Sequence, residues 1–257
     1  MQIGFLQKLC KGCKKCVGSC ENGALVEVAN AYRIKQENCT ACNACVEKCY
    51  YGALVSYGKT MTSGEVFEQV RRDKMFYDSS GGGVTVSGGE PLARSQFVYE
   101  LFESCRAEGI NTCVETCGYV SWKAFELVLP VTDHFYFDLK IMDANTHMLY
   151  TGTDNAVILE NATKLAATGA DILFRQPLIG GVNDGLKSIM EVSQFIHSLN
   201  REDISLQLMP YHRLGQSKYE ALGKSYNMDA RAMLEPGDVE NIRLKYVSCG
   251  ISCTVSH

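Results

Sequence analysis

Eight cysteines within the first 49 residues constrain this 257-residue chain more than any other feature. Cys10, Cys13, Cys16 and Cys20 are spaced C-x2-C-x2-C-x3-C, and Cys39, Cys42, Cys45 and Cys49 repeat that spacing 29 residues later. The echo extends to Gly23-Ala24-Leu25-Val26 and Gly52-Ala53-Leu54-Val55, so two copies of one small unit are the simplest account. Thiolates this close together wrap three corners of a cubane iron–sulfur cluster from one tight loop. Zinc, the alternative occupant, prefers two C-x2-C pairs per site over four Cys in one short run.

The run resembles that of the bacterial two-cluster ferredoxins, in which the fourth Cys of each copy ligates the other cluster. The resemblance implies one [4Fe–4S] cluster on Cys10, Cys13, Cys16 and Cys49, and a second on Cys39, Cys42, Cys45 and Cys20. The Pro that usually follows the fourth Cys is replaced by Glu21 and Tyr50, which loosens a turn and removes no ligand. Residues 1–58 hold seven Lys/Arg and four Glu, a net of +3 against −7 for the rest. Such a shell attracts a polyanionic redox partner, or simply balances the anionic clusters.

Composition narrows the class. With 46% hydrophobic and 21% charged residues the chain can bury a full core. A net charge of −4 argues against a nucleic-acid or anionic-membrane binder. No uncharged apolar run approaches a membrane span, and Met1-Gln-Ile-Gly-Phe-Leu is too short and weakly basic for a signal peptide. A cytoplasmic protein with reduced thiols is expected, in an anaerobic setting because exposed clusters are oxygen-sensitive.

After Gly58 the pattern changes to alternating strands and helices. Thr62 with Glu65 forms a capping box. Strands are expected at 84–86, 110–115, 135–140, 171–177, 204–209 and 251–255. Helices are expected at 94–108, 121–129, 156–168, 186–199 and 238–248. Two domains follow: 1–58 around the cysteines, and 59–257 as an α/β domain with a parallel sheet. In such folds the chemistry sits at the C-terminal strand ends, and polar signals fall there. Gly88, Gly89 and Glu90 end the first of these strands, and Glu115 the second. Asp138 and Lys140 share a face of the third, and form either a satisfied ion pair or a ligand site. Arg175 should meet a carboxylate of the protein or of a ligand. His212 follows the Ile204–Met209 strand.

Together, Ser-Gly-Gly-Glu-Pro at 87–91, Glu-Thr-Cys-Gly-Tyr at 115–119, Phe-Asp-Leu-Lys at 137–140, Arg-Gln-Pro-Leu-Ile-Gly-Gly-Val-Asn-Asp at 175–184 and Pro-Tyr-His-Arg-Leu-Gly-Gln-Ser-Lys-Tyr at 210–219 resemble the glycyl-radical-enzyme activating enzymes. These are radical S-adenosylmethionine (SAM) oxidoreductases, and the likeness covers nearly the whole chain. It implies a partial (β/α)6 barrel lacking its first strand, preceded by a ferredoxin-like two-cluster module. It implies reductive cleavage of SAM to a 5′-deoxyadenosyl radical, which takes hydrogen from a glycine of a partner glycyl radical enzyme. Such a module is typical of activases for lyases, dehydratases and decarboxylases. By match, Gly88, Gly89 and Glu90 would hold the SAM amino group. Glu115 and the segment Asp138, Leu139, Lys140 would surround its methionine and ribose parts. Arg175 would meet its carboxylate, and His212 its adenosine side. A flavodoxin or ferredoxin would be the reductant, and a monomer is expected.

The resemblance also implies a C-x3-C-x2-C run after a first barrel strand, whose three thiolates leave one iron open to SAM. No such run occurs in these residues. Cys113-x3-Cys117 and Cys249-x3-Cys253 have half of the spacing, and with Cys105 they are expected in core or turn roles. The expectation is that this strand and its third cluster lie outside the chain. Met1 would then be internal to a longer activase, or would begin a product that binds the partner or relays electrons without cleaving SAM. The alternative from a different class is a non-catalytic ferredoxin-type electron-transfer or docking protein. Either way the edge of the 84–86 strand should be uncovered.

Overall fold

The computed structural model describes residues 1–28 and 31–256. They form two compact units, Met1–Met61 with His212–Ala230, and Thr62–Tyr211 with Arg231–His257. The first break falls close to the boundary expected after residue 58. The segment 212–230 differs from expectation, since it joins the cysteine-rich unit although the alternating pattern assigned it to the α/β domain.

In the first unit β1 (Gln2–Phe5) pairs antiparallel with β4 (Leu54–Tyr57), and β2 (Leu25–Val28) with β3 (Ala31–Ile34). The Gly-Ala-Leu-Val echo therefore becomes the start of one strand in each copy. Ile3, Leu25, Ile34 and Leu54 form its small core, and Cys16, Cys20, Cys39, Cys45 and Cys49 pack against it. The repeat reaches the backbone. Gly12 and Ala41 have φ of 67° and 53°, and Lys14 and Asn43 have 59° and 68°. Non-glycine residues rarely take this left-handed conformation, so both loops hold the same wrapped shape. A short helix α1 (Ala44–Glu47) follows the second loop.

The second unit begins with α2 (Ser63–Val70), whose capping box is formed: Glu65 N–H donates to Thr62 Oγ1 at 3.2 Å and Thr62 N–H to Glu65 Oε2 at 2.8 Å. The chain continues through α3 (Lys74–Ser80), β5 (Gly83–Val86), α4 (Ser95–Ala107), β6 (Asn111–Thr116), α5 (Trp122–Val128), β7 (His134–Asp138), α6 (Ala144–Thr151), α7 (Ala156–Ala167), β8 (Asp171–Leu178), α8 (Leu186–Ser198) and β9 (Ser205–Pro210). It leaves for α9 (Gln216–Ala221) in the first unit, then returns for α10 (Pro236–Ser248) and β10 (Cys253–Val255). The six strands form one parallel sheet in the order β10-β9-β8-β7-β6-β5. Among the described residues β5 pairs on one side only, with β6.

Strand alternation sorts this sheet into two faces. In β8, Ile172, Phe174, Gln176 and Leu178 are buried, whereas Leu173, Arg175 and Pro177 are half-buried. Phe125, Phe135, Phe137 and Phe174 are fully buried, and their rings sit 5.8–6.3 Å apart in stacked, tilted and edge-on pairs. Tyr246 of α10 donates from its hydroxyl to Gln176 Oε1 at 2.7 Å, pairing two polar groups inside this core. Among the described residues no helix is long and apolar enough to cross a membrane.

Candidate functional site

The cysteine-rich unit holds two thiol-lined cavities. Cys10, Cys13, Cys16 and Cys49 line one. Cys20, Cys39, Cys42 and Cys45 line the other, of about 320 Å³. The fourth Cys of each run thus faces the opposite set, the grouping that the ferredoxin likeness implies. Burial pushes the Cys16 thiol up, and neighbouring Cys49, Cys13 and Cys10 add to it. Burial does the same to Cys45, helped by Cys20 and Cys39. Four thiolates in such a cage repel one another unless iron neutralises them, so the donor set fits a soft, multi-iron cluster. Ala24 N–H donates to Cys20 Sγ at 3.3 Å and Ala53 N–H to Cys49 Sγ at 3.2 Å, again at matching positions of the repeat. Among the described residues no three His, Cys, Asp or Glu converge tightly enough for a single metal ion. The thiols surround space instead of meeting at a point. All thirteen cysteines are free of disulfides.

In the second unit the polar residues gather at the C-terminal ends of the strands. Gly88 and Gly89 follow β5 with φ of 86° and 41°, a pair of left-handed residues that only glycine adopts without strain. They deliver Glu90, whose carboxylate accepts from Leu92 N–H at 2.9 Å, Thr116 Oγ1–H at 2.8 Å, Cys117 N–H at 2.9 Å and Cys117 Sγ–H at 3.0 Å. Gly118 also has positive φ, and a Cβ there would lie 2.2 Å from Phe137 Cζ. The turn after β6 therefore presses directly onto the aromatic core.

The half-buried sheet face carries charges in register. Asp138, Arg175 and Gln207 stand side by side on β7, β8 and β9. Arg175 Nη1 pairs with Glu115 Oε1 at 2.7 Å, its Nε donates to Gln207 Oε1 at 3.1 Å, and its guanidinium lies 5.2 Å from the Tyr136 ring centroid. Lys140 Nζ pairs with Asp138 Oδ2 at 2.6 Å. Buried Asn183 braces the loop beside them, donating to Lys140 O at 2.8 Å and Pro177 O at 2.7 Å. Gly88, Gly89, Glu90, Glu115, Asp138, Lys140 and Arg175 all belong to this unit. Leu139 differs from them: it is 2% exposed and packs in the core, with its N–H donating to Arg175 O at 2.9 Å. His212 belongs to the first unit, where its Nδ1 accepts from Leu214 N–H at 3.4 Å.

Tyr136 and Gln207 escaped the sequence reading, although each sits where strand alternation puts it on the charged face. Thr116 and Cys117 escaped because their role is to hold Glu90, 26 and 27 residues away. The late cysteines take core and turn positions. Burial pushes the Cys105, Cys113 and Cys253 thiols up to about 11, and burial followed by Glu90 raises Cys117.

A parallel α/β sheet with Gly-Gly-Glu at one strand end, preceded by a pair of four-thiol cages, marks the class as radical SAM proteins with a ferredoxin-like region. Family models agree: "Radical SAM superfamily" matches residues 39–192 and "4Fe-4S dicluster domain" residues 9–54. The chain is 36% identical over 251 residues to the 4-hydroxyphenylacetate decarboxylase activating enzyme of Clostridioides difficile, covering 96% of this chain and 78% of that one. It is 47% identical over 173 residues to the (2S)-3-sulfopropanediol dehydratase activating enzyme of Klebsiella oxytoca, covering 67% of this chain and 55% of that one. A solved domain of pyruvate-formate lyase-activating enzyme from Bacteroides vulgatus aligns with a TM-score of 0.58 and 27% identity, over 68% of this chain and 99% of that one. The chain belongs to the glycyl-radical-enzyme activating enzymes of the radical SAM superfamily. It spans about half the length of the Klebsiella relative and about three quarters of the Clostridioides one.

Proposed function

We propose that this chain serves a SAM-dependent activase that acts on a partner glycyl radical enzyme of the lyase, dehydratase or decarboxylase kind, as its relatives' names suggest. Two [4Fe–4S] clusters would sit in the thiol cages, and SAM would lie along the charged sheet face. Bound there, the cofactor supplies the radical chemistry that removes hydrogen from the partner's glycine. The chain's own residues bind and orient. Gly88 and Gly89 let a ligand approach the backbone, and the Glu90 carboxylate, fixed by four donors, is an acceptor for the SAM amino group. Glu115 and Asp138 supply further acceptors, while Arg175 and Lys140 supply cations for a carboxylate and for ribose oxygens.

The observation that carries this reading is the row of Asp138, Arg175 and Gln207 in register beside Glu115. Ordinary sheet faces of this size bury apolar side chains, and this one keeps two ion pairs. Equilibrium dialysis of the reconstituted, anaerobic protein with labelled SAM tests it. One saturable site per chain is expected, weakened tenfold or more by Asp138→Asn and by Arg175→Met, a loss of about 1.4 kcal/mol. Equal retention by both variants and the parent would refute it. His212 is proposed for the adenosine side, and Leu139 contributes only its backbone. A flavodoxin or ferredoxin is proposed as reductant.

A further inference from the structure

The two copies of the cysteine repeat share one backbone, so each serves as a control for the other's side chains. Lys8, Lys11, Lys14 and Lys15 of the first copy correspond, 29 residues on, to Glu37, Thr40, Asn43 and Ala44. Lys48, beside Cys49, corresponds to Ser19. All five lysines are exposed. Lys11, Lys14 and Lys48 line the cavity of Cys10, Cys13, Cys16 and Cys49 itself. Among the described residues no basic side chain lines the cavity of Cys20, Cys39, Cys42 and Cys45, where Glu21, Asn22, Asn38 and Thr40 stand instead. If lysines merely balanced the charge of a cluster, both cages would need them. The left-handed residues at 12, 14, 41 and 43 show that the wrapped loop does not need them either.

The apolar groups are equally one-sided. Tyr50 is 89% exposed and meets Tyr51 edge-on at 5.7 Å, and Tyr51 lines the lysine-rich cavity. Their counterparts in the other copy are Glu21 and Asn22. An exposed aromatic pair beside lysines that line the same cavity has the composition of a recognition surface, apolar and cationic together. Of the five lysines, only Lys14 has an acidic partner among the described residues, Glu27 at 3.4 Å.

We infer that the cage of Cys10, Cys13, Cys16 and Cys49 is where electrons enter the chain, delivered by a small acidic electron-carrier protein that docks on Lys8, Lys11, Lys15, Lys48 and the Tyr50–Tyr51 pair. The inference rests on the two-cluster reading above. The step is a one-electron transfer: the carrier is oxidised by one electron and the docked [4Fe–4S] cluster passes from the 2+ to the 1+ state. With a flavin carrier the hydroquinone anion becomes the neutral semiquinone, and no proton moves to the cluster. The described lining of the second cage carries Glu21 and no lysine, so it offers the same carrier no matching charge, which gives the relay a direction.

The test uses the full chain with reconstituted clusters, and flavodoxin as the probe. Stopped-flow reduction by flavodoxin hydroquinone should slow steeply as salt rises. The quadruple variant Lys8→Gln/Lys11→Gln/Lys15→Gln/Lys48→Gln should react about tenfold or more slowly at low salt, with a flattened salt slope. Titration calorimetry with oxidised flavodoxin should show the same loss in binding. The corresponding four Lys→Arg changes should keep the parental rate, since they keep the charge. Photoreduced 5-deazariboflavin, which is small and uncharged, should reduce parent and variant alike. Equal rates and salt slopes for the Gln variant and the parent would overturn the inference. An iron content well below eight per chain in the parent would instead overturn the two-cluster reading beneath it.

Discussion

Glu90→Gln isolates the clamp that fixes the Gly-Gly-Glu turn. The carboxylate accepts four hydrogen bonds, from Leu92 N–H, Thr116 Oγ1–H, Cys117 N–H and Cys117 Sγ–H, all between 2.8 and 3.0 Å. Gln keeps one acceptor oxygen and turns an NH2 toward whichever backbone N–H the oxygen abandons, so one donor must face another. Losing a hydrogen bond to a charged acceptor costs roughly 1.5–3 kcal/mol. Glu90 is only half-buried, and water can partly replace the bond, which places the cost near 2 kcal/mol. For a unit of this size that lowers Tm by about 4–8 °C. Trp122, the single tryptophan, lies in this unit, so its fluorescence reports the unfolding of the α/β unit separately from the cysteine-rich part. Thr116→Val should destabilise as well, and the double variant should show a coupling of about 1 kcal/mol, because both changes remove the same contact. A Glu90→Gln protein within about 0.5 kcal/mol of the parent, or strict additivity with Thr116→Val, would refute the clamp.

Three further outcomes are expected. Gly118→Ala should cost about 3 kcal/mol in urea unfolding followed by Trp122, from left-handed strain plus displacement of the buried Phe137 ring. Anaerobic reconstitution of the 257-residue chain should take up about eight irons, and a count near twelve would reveal a third site. The α/β unit should lose stability in strong alkali. Burial holds the Cys105, Cys113 and Cys253 thiols at about 11 against an ordinary 9.0, so the folded state keeps protons that the unfolded chain releases. That stabilisation is complete below pH 9 and lost as pH rises to about 11, on the order of 2–3 kcal/mol per thiol. Unfolding midpoints that stay flat between pH 8.5 and 10.5 would contradict it.

Much of this architecture was legible because its signals are local. The cysteine runs, the capping box at Thr62 and Glu65, and the strand expected at 171–177 each declare themselves within a few residues. α6 did not, since Ala144–Thr151 has no apolar stripe and is held by Asp143, which caps Thr146 N–H at 2.8 Å, and by buried His147 bonded to Thr153 O. β1 was missed because four residues show alternation only once Leu54–Tyr57 pairs beside them. In the site, the motif residues could be read, but their partners could not. Thr116 and Cys117 matter through Glu90, and Gln207 through Arg175. Such dependence appears only when the strands are in register. The grouping of 212–230 with the cysteine-rich unit was hidden for the same reason, since packing of a returning segment leaves no mark on its spacing.

The charged sheet face also explains how a site for a zwitterion can be stable without one. Glu115 with Arg175, and Asp138 with Lys140, form two internal pairs that leave no net charge on the strands. Isolated charges on this half-buried face would each still lose part of their hydration. On the proposed reading, SAM brings an ammonium and a carboxylate together, so each can take one partner from a pair already in place. The total charge changes only by that of the sulfonium, and no charge on the face is left unpaired. The arrangement also sets a selectivity rule. A ligand with only a carboxylate would satisfy Arg175 and leave Glu115 unpaired, and one with only an amine would do the reverse. Methionine should therefore compete with SAM in dialysis, whereas its desamino and descarboxy analogues at equal concentration should not. Competition by either analogue at the strength of methionine would show that the pairs act separately and not as a matched set.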